Sequence, residues 1–473
     1  MTGPFPAPSA TGSAAGSTAG STATAPAGTD GSGTKLRRAV TGPLLYLFVL
    51  GDVLGAGVHA LVGTVAAEVG GAIWVPLLVA LLLALLTAAS YAELVTKYPR
   101  AGGSAVFAER AFRSPVVAFL VGFCMLAAGV TSAAGLALAF AGDYLGVFLD
   151  VPAAPAALVF LLAVALLNAR GIQESLRANL VMTLVETSGL VLVVVLGAVV
   201  LFGGDGEPAR ALEFPPGVSA ATAVLSAALL AYYSFVGFET SANLAEEVRD
   251  VRRVYPRALF GALLTAGLVY VLVGIAAAVV LPPEELAGSS GPLLEVVRAA
   301  DAGIPDRLFS LVALVAVADG ALLTMIMASR MAYRPAEQQL LPAVLGRVLP
   351  RRRTPWVAIV VTTAVAMGLS VAGDLATLAS TVVLLLLFVF LSTNTAVLVL
   401  RRDRVEAPHF RTPLVLPVLG TASCLLLLWR QEARTWAFAG VLPALGLLLY
   451  AVTAAPRRRA EAHEAAAVSR SGA

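Results

Sequence analysis

Apolar stretches of roughly 20 residues, the length a helix needs to cross a bilayer, recur along almost the whole chain, and the segments between them carry most of the charge. Taken in order they predict about twelve membrane helices, at 43–67, 72–96, 115–142, 153–168, 179–202, 218–243, 257–281, 307–332, 355–372, 375–400, 413–429 and 436–454. Their interiors show little contrast between faces, as expected for helices surrounded by lipid and by one another. Two spans break the pattern. The first contains Gly51-Asp52-Val53-Leu54-Gly55-Ala56-Gly57-Val58-His59, and the sixth contains Tyr233-Ser234-Phe235-Val236-Gly237-Phe238-Glu239-Thr240. In both, glycine and an acid interrupt an apolar run at mid-span.

The segments outside the spans predict topology. Residues 1–34 are almost entirely Gly, Ser, Thr, Ala and Pro, which cannot bury enough apolar surface to offset the entropy of ordering, so 1–38 is expected to be a disordered tail. It has no basic region followed by an apolar core, so it does not read as a cleaved signal peptide, and the first span is expected to act as the insertion signal. With that tail in the cytoplasm, only Arg210, Arg298, Arg307, Arg430 and Arg434 face the opposite side, and the other 27 of the 32 Lys and Arg residues lie on the cytoplasmic side. The positive-inside rule then puts both termini in the cytoplasm, and a 455–473 tail with them.

Composition narrows the function. With 59% hydrophobic and 13% charged residues and a mean hydropathy of +0.88, the chain leaves no room for a sizeable soluble domain. The net charge of +3 sits between the apolar runs as a topology signal, which argues against a nucleic-acid partner. Cys124 and Cys424 fall inside apolar runs, and His59, His409 and His463 are scattered, so neither type forms a metal or redox motif. No nucleophile with its base, no cofactor motif and no GxxxxGK[ST] phosphate loop is present. An enzyme and an ATP-driven pump are both disfavoured, which leaves a carrier, with a channel or receptor as the competing class.

A broken membrane helix exposes backbone N–H and C=O groups that bind charged solutes when they line a cavity. Small residues can instead serve only close helix packing. Interruptions five helices apart favour the first reading, because an inverted five-plus-five repeat brings helices one and six together near the midplane. The organisation expected is a first repeat at 39–202, a second at 218–400, and two further helices at 413–454.

Four separated motifs carry a family resemblance. Gly55-Ala56-Gly57-Val58 is similar to a GAGI-type helix break, and Ser90-Tyr91-Ala92-Glu93-Leu94 with Pro99-Arg100-Ala101-Gly102-Gly103 to an SYAEL...PxAGG signature. Phe235-Val236-Gly237-Phe238-Glu239, followed by Glu246-Glu247 and Tyr255-Pro256-Arg257-Ala258, matches a sixth helix and its loop. Ser329-Arg330-Met331-Ala332-Tyr333, Leu340-Leu341-Pro342 and Thr354-Pro355 complete the set. Together they resemble the amino acid-polyamine-organocation transporter family over the first ten helices.

The resemblance implies an all-α integral membrane protein of the leucine-transporter fold, moving an amino acid, amine or polyamine by alternating access. In that fold the backbone at Gly55, Ala56, Gly57 and Val58 receives the substrate carboxylate. Carbonyls from Tyr233, Ser234, Phe235 and Val236 to Gly237 receive its ammonium, in keeping with the partial charges at half-helix ends. Tyr233 and Phe235 are candidate side-chain or gate contacts.

Four acids fall at membrane depth: Asp52, Glu186, Glu239 and Asp319. Ionisable groups there are costly and mark function by default, and loss of water favours the neutral form that can load and release a proton. Some proton-coupled relatives carry a lysine at the place of Glu186. Here the only lysines are Lys35 and Lys97, so the lysine mechanism does not transfer. In the implied fold helices one, five and eight converge, which makes Asp52, Glu186 and Asp319 expected neighbours that hold a proton or a cation between them. Glu239 suits a cationic substrate if it faces the cavity. His59 stands just past the first break, where relatives commonly have an aromatic; a lone histidine is more often a packing residue, and its role stays open. Glu93, Arg100 and Glu246, at cytoplasmic helix ends, are expected in loop or gate ion pairs. Proton symport, sodium symport and exchange all remain open, as does a homodimer.

Overall fold

The computed structural model describes residues 40–55, 57–99, 102–170, 176–337, 339–350, 352, 354–405, 407–431 and 433–471. The N-terminal tail, Ala56, and Arg100-Ala101 of the third-helix signature lie outside them. Among the described residues everything regular is helical, apart from an isolated parallel bridge between Val40 and Val248 that ties the entry of the first helix to the turn before the seventh span. In chain order the helices are α1 (Gly42–Leu54), α2 (Gly57–Val69), α3 (Trp74–Lys97), α4 (Gly103–Phe112), α5 (Pro115–Phe140), α6 (Asp143–Gly146), α7 (Ala153–Arg170), α8 (Leu176–Gly203) and α9 (Ala220–Tyr233). They continue with α10 (Val251–Val280), α11 (Pro283–Gly288), α12 (Pro292–Ala299), α13 (Asp306–Glu337), α14 (Trp356–Ala372), α15 (Leu375–Leu400), α16 (Val415–Trp429) and α17 (Ala433–Ser471).

Short polar signals start several of them. Ser114 accepts a hydrogen bond from the Val117 N–H at 3.4 Å with Pro115 as the first helical residue of α5. Ser219 and Asp374 accept from the Thr222 and Thr377 amides, at 3.2 Å and 2.9 Å, ahead of α9 and α15. Each satisfies one of the donors that a helix start leaves bare.

Nine helices among the described residues are long and apolar enough to cross a membrane, and the bent pair α1–α2 makes a tenth. The chain is a multi-pass membrane protein. The predicted ninth and eleventh spans correspond to α14 and α16, of 17 and 15 residues. At 1.5 Å per residue these fall short of a hydrocarbon core of about 30 Å. Outward-facing apolar side chains run along the peripheral helices, with Val159, Leu162 and Leu166 on α7 and Leu184, Val191, Val195 and Val199 on α8. Such stripes suit lipid and not water.

Two features depart from the sequence pattern. Helix α4 is a ten-residue amphipathic element that packs on α5 and α15 and is too short and polar to register as a span. Helix α10 begins at Val251, six residues before the predicted 257, because polar Arg252, Arg253 and Arg257 are carried on a helix that extends beyond the apolar run.

Inside the bundle α5 packs against α13 and α15, α10 against α3 and α1, and α2 against α9. A buried aromatic cluster joins α3, α15 and the segment after α9: Tyr91 meets Phe238 edge-on at 5.7 Å, and Phe238 stacks on Phe390 at 5.5 Å. It braces one side of the second helix break.

Candidate functional site

The first span is broken where its glycines predicted. Helix α1 ends at Leu54, α2 starts at Gly57, and their axes differ by 41°. The Gly55 N–H still closes onto the Gly51 carbonyl at 3.1 Å. Among the described residues the Gly57 and Val58 amides, in the first turn of α2, make no backbone hydrogen bond to α1.

The sixth span breaks differently. After Tyr233 the chain turns through Ser234, Phe235 and Val236, whose amides bond three residues back to Ala231, Tyr232 and Tyr233 at 3.0–3.1 Å. At Gly237 the backbone takes φ of +125°, a conformation that L side chains rarely adopt. A 3-10 helix, Phe238–Leu244, then carries the span onward. The Gly237 N–H donates to Glu239 Oε2 at 3.0 Å, so this acid caps its own break.

The two breaks touch. A Cβ added at Gly57 would stand 2.7 Å from Ser234 Cα, and one at Gly237 would stand 2.6 Å from the Asp52 carbonyl oxygen. Glycine at these positions is what lets the backbones meet. Thr240 donates from its hydroxyl to the Asp52 carboxylate and, at 2.8 Å, lies within reach of the Gly237 carbonyl. From α10 the Tyr270 hydroxyl reaches the Val53 carbonyl at 2.5 Å and that of Ser234 at 3.1 Å, which pins one break to the other.

A cavity of about 100 Å³ opens beside this junction. Gly51, Asp52, Gly55 and Gly57 line it from the first span, and Tyr233, Ser234, Val236, Gly237, Glu239 and Thr240 from the sixth. The remaining wall is mostly apolar, from α5, α13 and α15, and includes Met125, Met327 and Met331, side chains that adapt to irregular shapes. Ser132 on that wall holds the Tyr233 hydroxyl at 2.8 Å. The site offers backbone and acid groups on one side and an adaptable apolar surface on the other, which fits a small solute with a polar head.

Other residues singled out in the sequence lie apart from this lining. Phe235 is fully buried with its ring against Tyr270, 5.2 Å between centroids. Val58 is buried in α2, and Ala56 lies outside the described residues. Glu186 on α8 is 1% exposed, and neither carboxyl oxygen finds a hydrogen-bond partner among the described residues. Asp319 on α13 and Asp52 on α1 act on it electrostatically.

A sequence profile described as amino acid permease matches residues 44–450. The chain belongs to the amino acid permease family. An uncharacterised transporter of Mycobacterium tuberculosis is 31% identical over 427 residues, covering 89% of this chain and 93% of its own. A branched-chain amino acid permease of Bacillus subtilis is 26% identical over 84% of this chain and 89% of its own. A vacuolar cationic amino acid transporter of Arabidopsis thaliana is 30% identical over 78% of this chain and 60% of its own. These relatives are transporters and not enzymes, and this amino acid permease is a membrane transporter.

Three residues that shape this candidate site were not marked by sequence. Tyr270 sits in an apolar run and reads as packing, Thr240 reads as the polar end of a span, and Ser132 as a small packing residue. Each becomes a site residue only through a partner more than 100 positions away. The one available signal was a polar atom inside an apolar stretch, which needs a partner when buried.

Proposed function

We propose that this permease is a secondary-active carrier that moves amino acids or related amines across the cytoplasmic membrane by alternating access, with the proton as its coupling ion. The observation that carries the reading is the contact of two helix breaks, Gly57 on Ser234 and Gly237 on Asp52, beside a cavity. The amides of the first turn of α2, with Gly57 at the cavity wall, suit a carboxylate, and the carbonyl side of Ser234 to Gly237 suits an ammonium. Twelve spans, the 39–202 and 218–400 repeats and two cytoplasmic termini belong to this proposal. It is supported by the order of the spans, the two breaks and the distribution of basic residues.

Proton coupling is assigned to Glu186, with Asp52 and Asp319 as its partners. A buried carboxyl without a hydrogen-bond donor is stable only when protonated or next to a cation, and the charged groups that act on Glu186 among the described residues are both acids. Glu239 is occupied by the Gly237 amide, which favours a positioning role at the break over direct charge pairing with a cationic substrate.

Counterflow in proteoliposomes tests the carrier. Vesicles preloaded with unlabelled L-isoleucine or L-arginine are expected to accumulate the labelled compound, whereas a channel only equilibrates it. If a pH-sensitive dye inside wild-type vesicles records no proton movement with either solute, coupling by protons is wrong.

A further inference from the structure

Just past the break in the first span lies a second buried group left unsatisfied among the described residues. His59, on α2 just past the first break, is fully buried, and neither Nδ1 nor Nε2 has a hydrogen-bond partner among the described residues. Most buried polar side-chain atoms have at least one hydrogen-bond partner, so an imidazole with neither nitrogen bonded is an exception. Its main chain is held from the other side, because the Tyr144 hydroxyl donates to the His59 carbonyl at 2.9 Å.

The ring is turned toward α8. A Cβ added at Gly189 would lie 4.0 Å from His59 Nε2 and 2.8 Å from Val312 Cγ1 of α13. Gly189 therefore borders the imidazole, and its lack of a side chain is what lets Val312 of α13 pack against α8 there. Glu186 precedes Gly189 by three residues, the spacing that puts two helix positions on one face roughly 5–6 Å apart. Ser310 Oγ, two residues before Val312, is also buried without a partner among the described residues. Orphaned polar side chains on α2 and α8, His59 and Glu186, thus lie on two neighbouring helices.

We propose that His59 is a proton relay between Glu186 and the solvent at the α11–α12 end of the molecule; this rests on the reading of Glu186 as the coupling acid. The direction follows from α2, which runs from the break past His59 to Gly63, where its backbone meets the Leu286 carbonyl of α11. The bare ring nitrogen takes a proton from water on that side, and the other nitrogen releases its proton to the Glu186 carboxylate, with water between them. One proton leaves the solvent and one carboxylate becomes a carboxyl, and the imidazole returns to its neutral form. Tyr144 on α6 bonds the His59 main chain, and Asp52 on α1, Asp319 on α13 and Tyr270 on α10 interact electrostatically with Glu186, while Glu284 and Glu285 of α11 face solvent and Glu295 of α12 pairs with Arg298 at 2.8 Å.

The test uses the full chain in proteoliposomes with an internal pH-sensitive dye, and L-isoleucine and L-arginine as separate probe solutes. His59→Gln is expected to slow solute-driven proton entry at least tenfold while counterflow of the same solute falls far less. Glu186→Gln is expected to abolish proton entry. If Glu186→Gln uncouples transport and His59→Gln leaves proton entry at the wild-type rate, the relay is wrong and the coupling acid stands. If Glu186→Gln changes nothing either, both fall. Should His59→Gln not fold, nitrogen-15 NMR of the three histidines in wild type and Glu186→Gln replaces it. The His59 ring signals must shift between the two, and identical signals overturn the relay.

Discussion

Glu93 and Glu186 are the same residue, equally buried at 2% and 1% exposure, in two helices of one bundle. Their surroundings are opposite. Glu93, near the end of α3, accepts from Arg401 at 3.1 Å and from the Thr412 amide at 2.9 Å, and Arg401 also donates to the Thr412 carbonyl. Glu186 accepts from nothing among the described residues. A fully hydrogen-bonded buried charge holds structure together, while an unsatisfied one is retained at a cost that only a changing protonation or ligand state explains.

The largest effect on this contrast is expected from Glu93→Ala. It strands Arg401 and the Thr412 amide together, and should lower unfolding stability by about 3 kcal/mol, the cost of removing one partner from a buried pair. Thermal or denaturant unfolding in detergent reads this, and an unchanged midpoint would make Glu93 dispensable. Glu186→Met is expected to do the reverse, raising stability by about 2 kcal/mol as an unpaired buried acid gives way to an apolar side chain of similar length. A loss comparable to that of Glu93→Ala would mean that Glu186 has structural partners after all.

Asp52 stands between these extremes, because Thr240 gives it a hydroxyl donor. Thr240→Val should cost about 1 kcal/mol of stability and weaken counterflow by more than that loss accounts for. Equal stability and transport to wild type would remove Thr240 from the site.

The smallest effect belongs to the exposed Asp403, held below the usual carboxylate range by the Tyr98 hydroxyl and then by the Arg110 guanidinium. Because the folded protein binds its proton less readily than the unfolded chain does, this carboxylate contributes stability above about pH 4 and loses it as pH falls through the depressed value. Asp403→Asn should therefore melt slightly below wild type at neutral pH, with the gap closing in acid. A gap that widened in acid would reverse the assignment.

Much of the fold was legible because the bilayer demands it. Spans, breaks and acids within apolar runs all announce themselves as departures from the pattern, and the glycines at 57 and 237 mark where backbones come close. Glu93 was legible as an ion-pair residue from its place at a helix end, though its partner is 308 positions away. Helix α4 was not, since ten amphipathic residues carry no span signal. Tyr270 and Ser132 were not either, because a single hydroxyl in an apolar helix looks the same whether it packs or bridges.

Local composition alone determined that this chain is helical, lies in a membrane and interrupts two of its helices, since each follows from how apolar surface and bare peptide groups partition between lipid and water. Which carboxylate is tied and which is left without a donor was decided only by tertiary packing. Hydrogen-bond satisfaction is a relation between groups that the chain brings together from distant positions, and no stretch of sequence contains both halves of it.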